Sequence, residues 1–222
     1  MKAICIADAH GDVKAVTRLR NTIETEDLDY VFILGDFSKG FKDPEENRVD
    51  IGRILDVFSD FSVKAIPGNC DQRNSTDIFD KRGVNLHNTV LRLPEASIIG
   101  FGGSNTTPFN TPFEYNEDDI RKSLDSLYAQ AEKGSKVIVM THAPPKDTNC
   151  DKIQSGLHVG STGLRGFIEE RKPALVLCSH IHESGGHEDH IGPTRILNVG
   201  RVSEGRAYML EVTDAVSLEF YS

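Results

Sequence analysis

Seven side chains in five short segments have the chemistry of metal ligands. They are Asp8 and His10 in Asp8-Ala9-His10, Asp36 in Gly35-Asp36, Asn69 in Gly68-Asn69-Cys70-Asp71, His142 in Thr141-His142, and His180 and His182 in Ser179-His180-Ile181-His182. Carboxylate and amide oxygens suit hard cations, and imidazole suits borderline ones. Each segment also has an ordinary reading. Asp8 could close a turn, and Gly11-Asp12 could cap a helix. Gly-Asp and Gly-Asn are common turn pairs. A lone histidine is more often structural than ligating. Taken together, seven such ligands point to a metal site.

The elements that must position them support this. Each segment follows an apolar, β-branched run: AICIA, YVFILG, VKAIPG, KVIVM and ALVLC. Such runs read as buried strands, and open α/β sheets bind ligands at the carboxyl ends of their strands. Residues i and i+2 of an extended chain project to one face, so Asp8 with His10 can share an ion, and the pair His180 and His182 can splay toward two.

The first half reads as β-α-β-α-β, hence a parallel sheet: strands at 2–7, 29–34 and 62–66, and helices at about 12–26 and 47–60. Residues 84–101 hold short strand-like pieces (VNLH, TVLRL, ASIIGFG) that suggest antiparallel pairing. A long polar loop, 102–116, contains Phe109, Phe113 and Tyr115. Helices at about 117–133 and 161–171 flank the strand 136–140, and the second of them precedes the strand 174–178. Residues 194–221 read as three antiparallel strands. No repeat or linker interrupts the chain, so the expectation is one domain over 1–222.

The formal charge is −9, from 34 acids and 25 bases, which opposes binding to a phosphate backbone and leaves small phosphate esters as plausible ligands. No apolar run approaches a membrane span, and Lys2 leads straight into a strand-like run rather than a signal peptide. The expected compartment is the cytoplasm. The four cysteines show no disulfide spacing.

The order Asp-x-His, Gly-Asp, Gly-Asn-x-Asp, His and His-x-His, from Asp8 to His182, resembles the calcineurin-like metallophosphoesterase superfamily. Asn198-Val199-Gly200 is similar to that family's closing Asn-Pro-Gly turn. The resemblance implies an α/β four-layer α/β/β/α sandwich with two mixed β-sheets. It also implies two divalent metal ions (Mn, Fe, Ni or Zn), one held by Asp8, His10, Asp36 and His182, the other by Asp36, Asn69, His142 and His180. Asp36 would bridge them. A hydroxide shared by ions about 3.5–4 Å apart would attack phosphorus in line.

Cys70 departs from the pattern, since many members carry there a histidine thought to protonate the leaving group. Branches that resemble small phosphodiesterases carry cysteine there. The thiol implies weaker acid assistance and a preference for esters whose leaving groups need little protonation, and the expected activity is a phosphodiesterase in preference to a monoesterase. Asp71 is expected to orient its neighbours. Ser179, where the family often has glycine, is expected to matter little. Glu183 could hydrogen-bond a ligand imidazole or simply be solvated.

Substrate contacts are less legible. Asn69, Arg73 and His158 are candidates, and Lys39, Lys146 and Arg165 could also meet a phosphate. The aromatic residues of the 102–116 loop could stack on a base, line a lid or form a homodimer contact. The rival reading is a non-catalytic metal-binding scaffold for protein interactions, sharing the fold. A nuclease is disfavoured by the charge.

Overall fold

The computed structural model describes residues 1–39 and 43–221. The expected loop after Asp36 therefore falls partly outside the described residues. In chain order the elements are β1 (Lys2–Ile6), α1 (Val13–Thr22), β2 (Tyr30–Leu34), α2 (Pro44–Val57), β3 (Val63–Ile66), α3 (Ser75–Arg82), β4 (Thr89–Arg92), β5 (Ala96–Phe101), β6 (Ser104–Asn105) and β7 (Glu114–Tyr115). They continue with α4 (Glu117–Tyr128), β8 (Lys136–Thr141), α5 (Thr162–Arg171), β9 (Leu175–Cys178), β10 (Glu188–Ile191), β11 (Thr194–Asn198), β12 (Tyr208–Val212) and β13 (Val216–Phe220).

Two mixed sheets form. One runs β13-β12-β1-β2-β3, the other β10-β11-β9-β8-β5-β4. In the first, β1, β2 and β3 are parallel, and β12 joins β1 antiparallel. In the second, β5, β8, β9 and β11 are parallel, with β4 and β10 antiparallel at the edges.

The alternation of side chains along each strand builds the layers. Cys5, Phe32 and Leu34 face Ile138, Met140, Leu175 and Leu177 in a core between the sheets. The intervening Ile4, Ile6, Val31 and Ile33 pack with Val16, Ile51 and Ile54 of α1 and α2 and Phe79 of α3. Val137, Val139 and Val176 pack with Leu124 of α4 and Phe167 of α5. The central strands are thus buried on both faces, which is why they read as unbroken apolar runs. The result is the expected α/β/β/α sandwich, with five α-helices among the described residues.

Several expectations change. Helix α2 starts at Pro44 rather than 47 because Asp43 caps the amides of Glu45 and Glu46, and proline suits a first helical position. Helix α3 was unexpected. It is one short stretch with Phe79 as its fully buried anchor, so it carries little periodic signal. Of the 84–101 pieces, TVLRL and ASIIGFG do pair antiparallel as β4 and β5, but VNLH contributes only isolated bridges at Asn85 and His87. β5 also pairs parallel with β8. The tail does hold three strands, yet β11 leaves β12 and β13 to lie parallel to β9 in the other sheet. Pairing partners of this kind are set by distant chain, which local alternation does not encode.

Candidate metal centre

The carboxyl ends of β1, β2 and β3 meet those of β8 and β9, and all seven predicted ligands gather there. Asp8, His10 and His182 each present an atom within 4.8 Å of the other two, and Asp36, His142 and His180 do the same. Asp36 faces both groups. Its Oδ2 lies 3.6 Å from His10 Nε2, and its Oδ1 lies 3.5 Å from His142 Nε2. Asn69 completes the cluster with Oδ1 at 3.0 Å from His142 Nε2.

The backbone here is bent out of its ordinary range. Asp8, His10, Asp36 and His180 all have positive φ, at 51°, 44°, 53° and 68°. Each such residue costs on the order of 1 kcal/mol, a strain that the surrounding sheets over-determine. Inter-strand hydrogen bonds run on past the strand ends, from Asp8 N to Gly35 O and from His10 N to Asp36 O. Two glycines make room. A side chain on Gly68 would meet Asp36 Oδ1 at 2.0 Å, and one on Gly35 (φ 96°) would meet Gly68 and the His142 ring.

Groups behind the ligands orient them. His142 Nδ1 donates to Leu34 O at 2.8 Å and His10 Nδ1 to Ser38 O at 3.1 Å, so Nε2 of each ring turns inward. Asp71 is fully buried and accepts from the amides of Gly68 and Phe37 and from Asn47 Nδ2. Burial, then the nearby Asp36 carboxylate, nevertheless raises its pKa to about 7. Asn198 Nδ2 donates to the carbonyls of Ser179 and Ile181, holding the turn that carries His180.

The electrostatics show a site short of positive charge. Asp8 Oδ1 is buried with no hydrogen-bond partner among the described residues. His10 Nε2 and His182 Nε2 face each other at 3.2 Å. Burial works against a charged His142, but Asp36 and Asp8 outweigh it and raise its pKa to about 9. Burial likewise opposes the Asp36 anion, and His142, His10 and His180 still hold that group well below the usual carboxylate range. Burial, then His142, pushes His180 down to about 3. An orphaned carboxylate oxygen and converging imidazoles are what a divalent cation would satisfy, and the O/N donor set fits a hard or borderline ion.

Other predicted residues fall in varied places. Cys70 donates its amide to Asp36 Oδ1, and burial, then Asp36, pushes its thiol far above the ordinary range. Ser179, expected to matter little, instead donates its hydroxyl to Asp8 Oδ2, an interaction glycine could not make. Glu183 is exposed and bonds to no imidazole among the described residues. Arg73 is engaged with the Glu114 carbonyl and stacks on Phe113 and Tyr115. Arg165 bonds Glu169 and the carbonyls of Lys146 and Asp147. His158 pairs at 2.6 Å with the buried Asp151, away from the ligand contacts.

The 102–116 loop is less open than its composition suggests. Phe109 is exposed, while Phe113 is buried, and Phe113 N donates to Asn69 O. Asn69 Nδ2 donates to Thr111 Oγ1, whose proton goes to Glu114 Oε1. That relay was missed in the sequence, where Thr111 and Glu114 carry no motif. Arg201, Arg53 and Lys14 were missed for the same reason. They line a groove of about 860 Å³ beside His10 and His182, with Lys39 as the one base there that the sequence had singled out.

The calcineurin-like phosphoesterase family matches residues 1–184. An uncharacterized protein of Methanocaldococcus jannaschii is 33% identical over 207 residues, covering 89% of this chain and 87% of its own. Among solved structures, a protein of Thermus thermophilus superposes with a TM-score of 0.70 at 16% identity, covering 99% of this chain and 98% of its own. A dimetal phosphatase from Danio rerio gives 0.69 at 11%, covering 100% and 99%. At these identities the structural likeness is one of fold.

Proposed function

This chain belongs to the calcineurin-like phosphoesterase family, and from that premise we propose that it is a dinuclear-metal phosphodiesterase acting on small phosphate esters. The observation that carries the proposal is Asp36, whose two oxygens face two separate ligand groups. One ion would be held by Asp8, His10, Asp36 and His182, the other by Asp36, Asn69, His142 and His180. When bound, divalent ions supply an acidified water as nucleophile and positive charge for the phosphoryl oxygens. Manganese, iron, nickel and zinc all suit the donors.

The chain's own residues supply the rest. Leu34 and Ser38 carbonyls hold the His142 and His10 rings in the tautomer that leaves Nε2 free. Thr111 turns the Asn69 amide so that its oxygen faces the ligands. Cys70 stands at the motif position of the family's leaving-group histidine, and a thiol there gives weaker acid assistance than an imidazolium. Weak acid assistance favours esters whose leaving groups need little protonation, and the resemblance of Gly68-Asn69-Cys70-Asp71 to the family's cysteine-bearing phosphodiesterase branches supports a diester over a monoester. Among the described residues no helix is long and apolar enough to cross a membrane.

Hydrolysis of bis-p-nitrophenyl phosphate with Mn²⁺ and with EDTA tests this, alongside p-nitrophenyl phosphate. We expect metal-dependent turnover with the diester preferred. Absence of turnover from protein carrying two bound metals would favour the scaffold reading, which the cysteine at position 70 leaves open.

A further inference from the structure

The groove beside His10 and His182 has features that the hydrolytic chemistry alone does not require. Lys14, Lys39, Arg53 and Arg201 converge on it in a chain whose net charge is −9. None of the four has an ion-pair partner among the described residues. By contrast Arg20, Arg82, Arg121 and Arg171 all pair with acids. Arg201 Nε is buried and has no acceptor among the described residues, so a guanidinium N–H is held where the protein offers it nothing. A side chain on Gly11 would meet Asp50 Oδ2 at 2.8 Å and the Lys39 stem at 3.3 Å, so Lys39 and the buried Asp50, which accepts from Ser38 Oγ, both stand beside it. The first turn of α1 also lines the groove, and the positive end of that helix adds to the field. The acid in the lining, Asp12, turns its Oδ1 to the Ala15 amide as the α1 cap.

Resting on the phosphoesterase reading, we propose that this groove is a second anion subsite, and that the substrate class is a phosphate ester carrying a further phosphate group. The scissile phosphate lies at the ligand cluster. The second phosphate lies in the groove, bound by Arg201 with Lys39, Arg53 and Lys14 around it. Arginine provides planar, paired donors to phosphate oxygens, and the lysines supply point charges. A second phosphate gains contacts with these cations and with the unpaired Arg201 Nε that a simple monophosphate at the ligand cluster does not make, so the groove favours the two-phosphate class. Its volume is ample for a nucleotide-sized group.

The test is competition against bis-p-nitrophenyl phosphate turnover at fixed free Mn²⁺, using adenosine monophosphate, adenosine diphosphate and adenosine 3′,5′-bisphosphate. We expect at least one two-phosphate ligand to bind roughly tenfold or more tightly than the monophosphate, the scale of an added charge-assisted contact. Arg201→Gln should collapse that ratio, whereas Arg171→Gln, the same charge change at the ion pair between α4 and α5, should preserve it. Ratios within about twofold in the unmodified protein, or a preference that survives Arg201→Gln, would overturn the subsite. If no ester is turned over, calorimetry of the same ligands reads the same ratios. Arg201-dependent selectivity there would keep the subsite and discard the hydrolytic reading.

Discussion

The Nε2 atoms of His10 and His182 stand 3.2 Å apart, although 172 residues separate them in the chain. The Nδ1 proton of His10 goes to Ser38 O, so its Nε2 directs a lone pair at the second ring, an arrangement that a shared cation satisfies. Asp8 Oδ2 lies 3.7 Å from His182 Nε2 and makes the same demand. Asp8→Asn should therefore lose about one equivalent of bound divalent metal per chain and lower diester turnover by roughly 100-fold or more. Metal analysis after dialysis reads the first effect and steady-state kinetics the second. Full metal retention in Asp8→Asn would contradict the ligand assignment.

Ser179 should count as a positioning residue. Its hydroxyl donates to Asp8 Oδ2, so Ser179→Ala frees that oxygen while leaving the turn intact. Outer hydrogen bonds of this kind are worth about 10–100-fold in metal affinity. Competition with a metal-binding dye would show it, and Ser179→Thr should recover part of the loss.

Thr111 determines which way the Asn69 amide points. Its proton goes to Glu114, so its lone pair is left for the Asn69 NH₂ group. Thr111→Val removes both contacts and lets the amide rotate. Metal affinity at the Asp36/His142/His180 group should drop about tenfold, with Thr111→Ser behaving as the unmodified protein. A titration showing equal affinity in all three would refute the relay.

His87 makes the fold acid-sensitive away from the metal centre. It accepts from Gly102 N at Nδ1 and meets Tyr115 Oη at Nε2, enclosed by Phe101 and Phe113. Burial, then the Arg73 charge, lowers its pKa to about 4 from the ordinary 6.5. The unfolded chain therefore binds the proton more readily. Stability is fully present above pH 6.5 and is lost as pH falls toward 4, by about 3 kcal/mol in all. Denaturant titrations across that window should show the slope, and His87→Gln should flatten it.

Cys70→His restores an imidazole at the leaving-group position. The rate on esters with poor leaving groups should rise relative to that on p-nitrophenyl esters, while the metal requirement persists. Unchanged relative rates would mean that position 70 gives the leaving group no assistance.

Much of this protein is decided locally. Strands buried on both faces must be continuously apolar, and the chain must turn polar where such strands stop. Runs such as YVFIL and LVLC therefore announced both the strands and the places where Asp36 and His180 stand. The order of the ligand motifs then carried the family and its four layers. What sequence could not encode is partnership at long range. β11 pairs with β9 rather than β12, and its Leu197 enters the core between the sheets while Ile196 packs under the helices, a fact of packing and not of alternation. Ser179 reached Asp8 across 171 positions, and Arg201 entered the groove beside His182 from beyond the closing turn. Neither residue type nor spacing marks such roles, because a hydroxyl or a guanidinium acquires its function from the group it is brought to face. The sequence by itself determined which residues could hold a cation. Only the tertiary structure decided what orients them and which charges surround the space beside them.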